Sequence, residues 1–230
     1  MSPMSKVPRL SARIETVLLD MDGTLLDLHF DDQVWNYTLP ARLAVAHGES
    51  VTAARARVAA TLGDVRGSLN WYCLDHWTAT FGISMHALEE ELAHLVAIRE
   101  GTLAFLEFLC RHGYHSVLAT NAHPASLARK LQLTGLAAYF SSVISAHTLG
   151  RPKEDLRFWS DLRVREQFDP ATTILVDDNA AALSAARASG VRHVFGIRYP
   201  SSTGAARSYP EFASVDALSE LIPWLNSRRC

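Results

Sequence analysis

Residues 16–24, Thr-Val-Leu-Leu-Asp-Met-Asp-Gly-Thr, run from an unbroken apolar stretch directly into two carboxylates and a glycine. With no polar residue alternating through it, the run Thr16 to Asp20 (TVLLD) reads as a strand buried on both faces, as strands are inside a parallel sheet. The same grammar returns at 116–120 (SVLAT), 142–145 (SVIS), 173–177 (TILVD) and 193–197 (HVFGI). From about residue 100 onward, helix-length segments separate these runs, with apolar residues three and four apart, as in Leu103, Leu106, Leu109 and then Leu127, Leu131. Alternating strands and helices predict an α/β fold with a doubly wound, parallel-sheet, Rossmann-like core.

The gap after the first run is far longer than one crossover helix needs, and it contains no convincing strand. Its apolar spacing predicts an inserted helical cap, with helices over 31–47, 51–62, 69–81 and 84–99. Ser84 is the expected N-cap of the last, although Ala87 stands where a capping box needs Glu or Gln. The chain is therefore expected to divide into a core of residues 1–27 and 101–230 and a cap of residues 28–100. The turn-rich stretch 199–210 reads as a surface loop.

An open parallel sheet binds ligands outside the carboxyl ends of its strands, so the residues ending these runs should share one crevice. Asp20 and Asp22 are one residue apart and project from the same side of an extended chain. Two carboxylates that close need positive charge between them, and hard oxygen ligands suit magnesium. Thr120 and Asn121 end the second run just before a helix, where a hydroxyl and free amides can hold an anion. Lys153 follows the third run as a point charge, and Asp177-Asp178 closes the fourth. Each piece alone has a plain structural explanation: a turn, β-propensity, a solvated lysine, a cap at Asn179. The ordered set at successive strand ends points instead to a metal-assisted phosphate site. Whether His29, Asp31, Asp32 or His123 reaches the substrate is left open by the sequence, since each reads as easily as a helix cap or a solvated side chain.

DMDGT (20–24), LATNA (118–122), RPKED (151–155) and LVDDN (175–179) resemble the four motifs of the haloacid dehalogenase-like hydrolases, across residues 16–190. The insertion after the first motif resembles that family's helical cap. The resemblance implies that Asp20 is a nucleophile forming an aspartyl-phosphate, and that Asp22 protonates the leaving group and then activates water. It implies that Thr120 and Asn121 hold the phosphoryl group while Lys153 offsets charge. Mg2+ would sit on Asp20, the backbone carbonyl of Asp22 and Asp178, with Asp177 on the ion or directly behind it. The dehalogenating members lack the second Asp of the first motif. Asp22 is present here, which favours attack on phosphorus.

Substrate choice should come from the cap. Residues 69–77 (LNWYCLDHW) concentrate Trp71, Tyr72 and Trp77, a stacking surface for a flat base whose edge Asn70 or Asp75 would read. The alternative is that Trp71, Leu74 and Thr78, at helical spacing, pack the cap interior. Residues 17–31 (VLLDMDGTLLDLHFD), Trp35, 69–77, 120–136 (TNAHPASLARKLQLTGL) and 152–159 (PKEDLRFW) resemble the bacterial GMP/IMP nucleotidases of this superfamily. That resemblance implies a magnesium-dependent phosphatase of purine nucleoside monophosphates. The alternatives are a phosphatase or mutase of a small phosphorylated acid or sugar, such as phosphoglycolate, or a non-catalytic regulator with the same fold. The regulator reading expects a lost motif residue, whereas Asp20, Asp22, Thr120, Lys153 and Asp178 are all present.

Composition agrees with an enzyme acting on a small molecule. The 230 residues carry 22 Lys and Arg against 24 Asp and Glu, a net charge of −2, too little positive charge for a nucleic-acid polymer. Cys73, Cys110 and Cys230 form no CxxC pair, which argues against a disulfide framework or a structural zinc site. Residues 1–15 show no signal peptide and no stretch approaches about 18 apolar residues, so no membrane partner and a cytoplasmic location are expected. Nothing in the sequence sets the oligomeric state.

Overall fold

A computed structural model of the chain describes residues 13–228. The signal-peptide reading therefore falls largely, and Cys230 wholly, outside the described residues. Strand β1 (Thr16–Leu19) opens the fold. The chain then enters a helical layer: α1 (His29–Asp32), a π-helical turn (Gln33–Thr38), α2 (Leu39–His47), α3 (Val51–Asp64), a 3-10 turn (Leu69–Tyr72), α4 (Leu74–Phe81) and α5 (Met85–Glu91). It returns through α6 (Thr102–Arg111), β2 (His115–Thr120), α7 (Pro124–Thr134), β3 (Ser142–Ser145), α8 (Ala146–Leu149) and α9 (Leu156–Glu166). The last elements are β4 (Thr173–Asp177), α10 (Ala180–Ala188), β5 (His193–Ile197), β6 (Ala213–Val215) and α11 (Leu221–Asn226).

All six strands pair in parallel in the order β3-β2-β1-β4-β5-β6, so the fold is the expected doubly wound sheet. Alternate residues of each strand feed opposite faces. Val17 and Leu19 join Leu118, Ile174, Val176 and the buried residues of α6 and α11, while Leu18 joins Val117, Leu175, Phe158, Trp159 and Leu183 on the other side. The chain winds one way from β1 to β3 and the other way from β4 to β6. The crevice at the carboxyl ends of β1 and β4 is thus the topological switch point, the place where such sheets bind ligands.

The helical layer has its own interior, built on Phe30, Leu39, Leu43, Trp77, Phe81 and Met85. Trp77 is fully buried, stacks on Phe81 at 5.5 Å and donates Nε1–H to the Trp71 carbonyl at 2.9 Å. Both crossings to the sheet layer run side by side: Leu26 bridges Ile98, Asp27 N–H meets the Ala97 carbonyl, and Arg99 N–H meets that of Leu25.

The structure revises several expected elements. The sheet has a sixth strand, β6, whose three residues are too short to show periodicity. The helix expected over 31–47 begins at His29 and widens into a π turn at Gln33–Thr38. Pro40 explains this, since it lacks the N–H that would bond the Asn36 carbonyl, which accepts Arg55 Nε–H at 3.0 Å instead. The helix expected over 69–81 breaks at Cys73, whose sulfur accepts the His76 N–H and caps α4. The last cap helix starts where expected, with Ser84 Oγ accepting Ala87 N–H at 3.2 Å, but stops at Glu91 because the chain extends to pair Ile98 with Leu26.

Candidate active site

The four strand-end motifs meet at the switch point. Asp20 follows β1, Thr120 ends β2, Lys153 lies between α8 and α9, and Asp177 ends β4. All are buried: Asp20 is 5% exposed, Thr120 1%, Lys153 2% and Asp177 0%. The Lys153 ammonium sits between two strand ends, donating to Asp20 Oδ1 and, at 2.8 Å, to Asp177 Oδ2. Asp177 Oδ1 accepts the Asn179 N–H at 2.8 Å, so both of its oxygens are engaged. Asn179, not the Asp pair, caps α10 through the Ala181 N–H.

Asp20, Asp177 and Asp178 bring carboxylate oxygens within 4.8 Å of one another, all buried, the one such group among the described residues. Burial pushes the Asp20 carboxyl well above the carboxylate range; Lys153 pulls it down, while Asp177 and Asp178 push it further up. Burial likewise raises Asp177, and raises Asp178 to about 7, with Asp177 adding and Arg207 opposing. Burial works against the Lys153 charge too, but Asp177 and Asp20 outweigh it and hold the ammonium above its ordinary range. Three carboxyls thus share too little positive charge, an oxygen-only donor set that a hard divalent cation fits.

Asn121 is placed differently from the sequence expectation that its side chain holds phosphate. Its Oδ1 accepts Lys153 N–H at 2.9 Å and its Nδ2–H donates to Glu154 Oε2 at 3.0 Å. The amide therefore braces the second motif against the third. Glu154 also accepts from Asn179 Nδ2–H at 2.7 Å and from the Tyr72 hydroxyl, so it gathers two further strand ends and the helical layer. Burial and Glu154 both raise the Tyr72 phenol, which stays neutral and donates.

Above the strand ends opens a cavity of about 1010 Å³, walled below by Asp20, Asp22, Thr120, Lys153 and Asp178 and above by Trp35, Arg66, Trp71 and Tyr72. Of the residues proposed to contact a base, Trp71 reaches this wall. Asn70 and Asp75 do not line it: Asn70 is exposed, and Asp75 pairs with His86 at 2.8 Å and with His123 at 3.5 Å. Trp71 and Leu74 both reach the cavity across the break at Cys73, while Trp77 is fully buried beneath them.

Sequence reasoning missed three wall residues. Arg66 lies 5.8 Å from the Trp71 ring centroid. Arg207, in the loop read as surface, donates to Asp178 Oδ2 at 2.6 Å. Lys130, buried in α7, donates to Asp22 Oδ1 at 2.7 Å and to Asp31 at 3.0 Å. Burial among these acids raises Asp31 to about 7, with Lys130 pulling against it. The apolar spacing of α7 shows only Leu127 and Leu131, so a buried lysine leaves no periodic signal.

The profile of the haloacid dehalogenase-like hydrolases matches residues 14–190. The GMP/IMP nucleotidase YrfG of Escherichia coli is 39% identical over 212 residues, covering 92% of this chain and 96% of that protein. Phosphoglycolate phosphatase 1 of Pseudomonas aeruginosa is 25% identical over 95% of this chain and 80% of its own. Among solved structures, a HAD phosphatase from Thermococcus onnurineus superposes with a TM-score of 0.80, covering 94% of this chain and all of its own, at 24% identity. With its motifs at the strand ends and its family profile across sheet and helical layer alike, the chain is an enzyme of the haloacid dehalogenase-like hydrolase family.

Proposed function

We propose that the protein is a magnesium-dependent phosphatase that cleaves purine nucleoside monophosphates, GMP and IMP among them, to nucleoside and phosphate. The observation that carries this reading is the Lys153 ammonium held between Asp20 and Asp177 at the floor of a cavity whose far wall is aromatic. The phosphate end needs the floor and a flat base needs the wall.

Asp20 is the nucleophile. Lys153 occupies Oδ1, and Oδ2 attacks phosphorus to form the aspartyl-phosphate. Thr120 Oγ–H holds a transferring oxygen; the first turn of α7 offers little, since Pro124 has no N–H and His123 Nδ1 accepts that of Ala125. Asp22 gives its proton to the departing ribose oxygen, then takes one from the water that attacks the aspartyl-phosphate, releasing phosphate and restoring Asp20. Asp20, Asp178 and the Asp22 carbonyl would hold Mg2+, which would neutralise charge on the phosphoryl oxygens when bound. Asp177, with both oxygens engaged, orients Lys153 instead.

At the wall, Trp71 stacks on the base and Arg66 beside it supplies two parallel N–H donors. That fork matches the O6 and N7 acceptors shared by guanine and hypoxanthine, whereas adenine presents a donor at position 6. Residues 28–100 act as the cap that closes over the substrate. No helix among the described residues is long and apolar enough to cross a membrane. With a nucleoside monophosphate as the proposed substrate, we place the enzyme in the cytoplasm.

Phosphate release from GMP, IMP, AMP, CMP, UMP, phosphoglycolate and sugar phosphates, with Mg2+ and again with EDTA, tests the proposal. Magnesium-dependent preference for GMP and IMP is the expected result. Preference for phosphoglycolate or a sugar phosphate would discard the base wall and keep the floor chemistry.

A further inference from the structure

Lys130 stands outside the four motifs, ten residues beyond Thr120 on α7. Its side chain is 3% exposed, while those of its partners Asp22 and Asp31 keep 21% and 26% of their surface open. An ammonium has three N–H donors. Three carboxylate oxygens receive them here: Asp22 Oδ1 at 2.7 Å, Asp31 Oδ1 at 3.0 Å and Asp31 Oδ2 at 3.2 Å. The Phe30 ring, 4.7 Å away, closes the remaining side. With its donors taken and its head buried, Lys130 has nothing left to offer a substrate phosphate. Its charge acts through the two acids.

Those acids come from different layers. Asp22 belongs to the loop after β1, Asp31 to the first helix of the cap. Lys130 itself rises from the sheet layer, so its bond to Asp22 stays within that layer and its bond to Asp31 crosses to the cap. We propose that Lys130 is the positioning residue for Asp22: its ammonium fixes the carboxylate in one orientation in the cavity, and its link to Asp31 makes that orientation depend on where the cap sits. Oδ1 is the anchored oxygen and Oδ2 the one that exchanges the proton. Without the ammonium, two carboxylates face each other unpaired and Asp22 swings away. The proposal rests on the phosphatase reading above.

A general acid matters for a poor leaving group and hardly at all for a good one. The ribose alkoxide of GMP needs a proton to depart; p-nitrophenolate does not. The test is kcat/KM of Lys130→Met and Lys130→Arg on GMP and on p-nitrophenyl phosphate, beside wild type. This ratio reports steps through the first phosphoryl transfer, before water enters. We expect Lys130→Met to lose about 100-fold on GMP but about fivefold or less on p-nitrophenyl phosphate, with Lys130→Arg regaining most of the GMP rate. Because Lys130→Met leaves two unpaired acids in a buried place, Lys130→Met/Asp31→Asn is measured as well, with melting temperatures for all variants. The double variant should fold and show the same contrast. Equal losses on both substrates in a folded variant would overturn the positioning role. A wild type inactive on both compounds would refute the phosphatase reading and this inference with it, and is told apart because it needs no variant to be seen.

Discussion

Replacing Gly23 by alanine puts two separate demands on the site. The backbone there has φ of +86°, a left-handed conformation costing an L residue roughly 1–2 kcal/mol. The added Cβ would lie 2.5 Å from Asp178 Oδ2, 2.6 Å from its Cγ and 3.0 Å from Pro200 Cβ. Asp178 cannot simply yield, because Arg207 holds its Oδ2 at 2.6 Å and its carbonyl at 2.8 Å, and the Tyr209 hydroxyl holds that carbonyl at 2.7 Å. Overpacking of this kind adds about 1–3 kcal/mol, for a total of roughly 2–5 kcal/mol. In a chain of this size each kcal/mol lowers Tm by about 2–4 °C, so the variant should melt roughly 10 °C below wild type.

Gly48 supplies the control. Its φ is +64°, and a Cβ there meets nothing within 4 Å, so Gly48→Ala carries only the backbone cost of roughly 1–2 kcal/mol. Thermal melts of both variants, with and without Mg2+, separate strain from clash. Gly23→Ala should lose more than Gly48→Ala and also lose the stabilisation that Mg2+ confers, which Gly48→Ala keeps. Equal melting temperatures together with an intact Mg2+ response in Gly23→Ala would refute the packing of Asp178 against Gly23 and its place as a cation ligand.

Asp20→Asn should lower kcat by about 10³ or more without lowering Tm, since it removes one carboxyl from a crowded acidic cluster; turnover near wild type would reject Asp20 as nucleophile. Arg66→Ala should raise KM for GMP and IMP by about 5- to 10-fold and leave AMP unchanged, and Trp71→Ala should raise all three; a uniform effect of Arg66→Ala would remove it from base reading. Burial and the neighbouring His123 lower the His147 pKa below its ordinary 6.5. The unfolded chain then binds the extra proton first, so this contribution to stability is present above about pH 6.5 and fades as pH falls. Denaturant titrations of wild type and His147→Asn at pH 7.5 and 5.5 should show the stability gap moving in favour of the variant at the lower pH. Asp31 and Asp178, raised to about 7, bend both curves the other way and cancel in the difference. A gap that does not change with pH would contradict the reading.

The sheet was legible because β1, β2, β4 and β5 are buried on both faces and announce themselves as apolar runs. β6 was not, because three residues lying at an edge carry no period. In the cap, periodicity found the helical content but not its interruptions. Pro40 opens a π turn through a missing N–H, and Cys73 stops a helix through a sulfur cap, neither of which changes apolar spacing. The same limit explains the aromatic wall of the cavity. Trp71, Leu74 and Thr78 share a face only if one helix runs through all three, and the 3-10 turn that carries Trp71 ends at Cys73, before the helix that carries Leu74 begins. Asp75 then turns outward to His86 and His123. The motif residues were legible one by one. What joins them was not: Asn121 bracing Lys153, Glu154 collecting Asn121, Asn179 and Tyr72, and Lys130 beneath Asp22 are contacts between residues dozens of positions apart.

Those hidden contacts share one property that bears on how the site works. Tyr72 to Glu154, Asp31 to Lys130, Glu89 to Ser126 and Arg129, and Asp75 to His123 each join the helical layer to the sheet layer. Two of them end within a bond of the motif residues: Glu154 adjoins Lys153, and Lys130 holds Asp22. Polar links of this sort cost desolvation when they form and gain little net stability, so they do not explain why the layers stay together. They do make the arrangement of the floor sensitive to the position of the wall. Under the proposed function, a substrate that fits the wall would hold these links in place, and one that does not would leave Asp22 and Asn121 less well braced. Substrate choice by such a cap would then register in kcat as well as in KM, since binding energy far from phosphorus can be converted into rate.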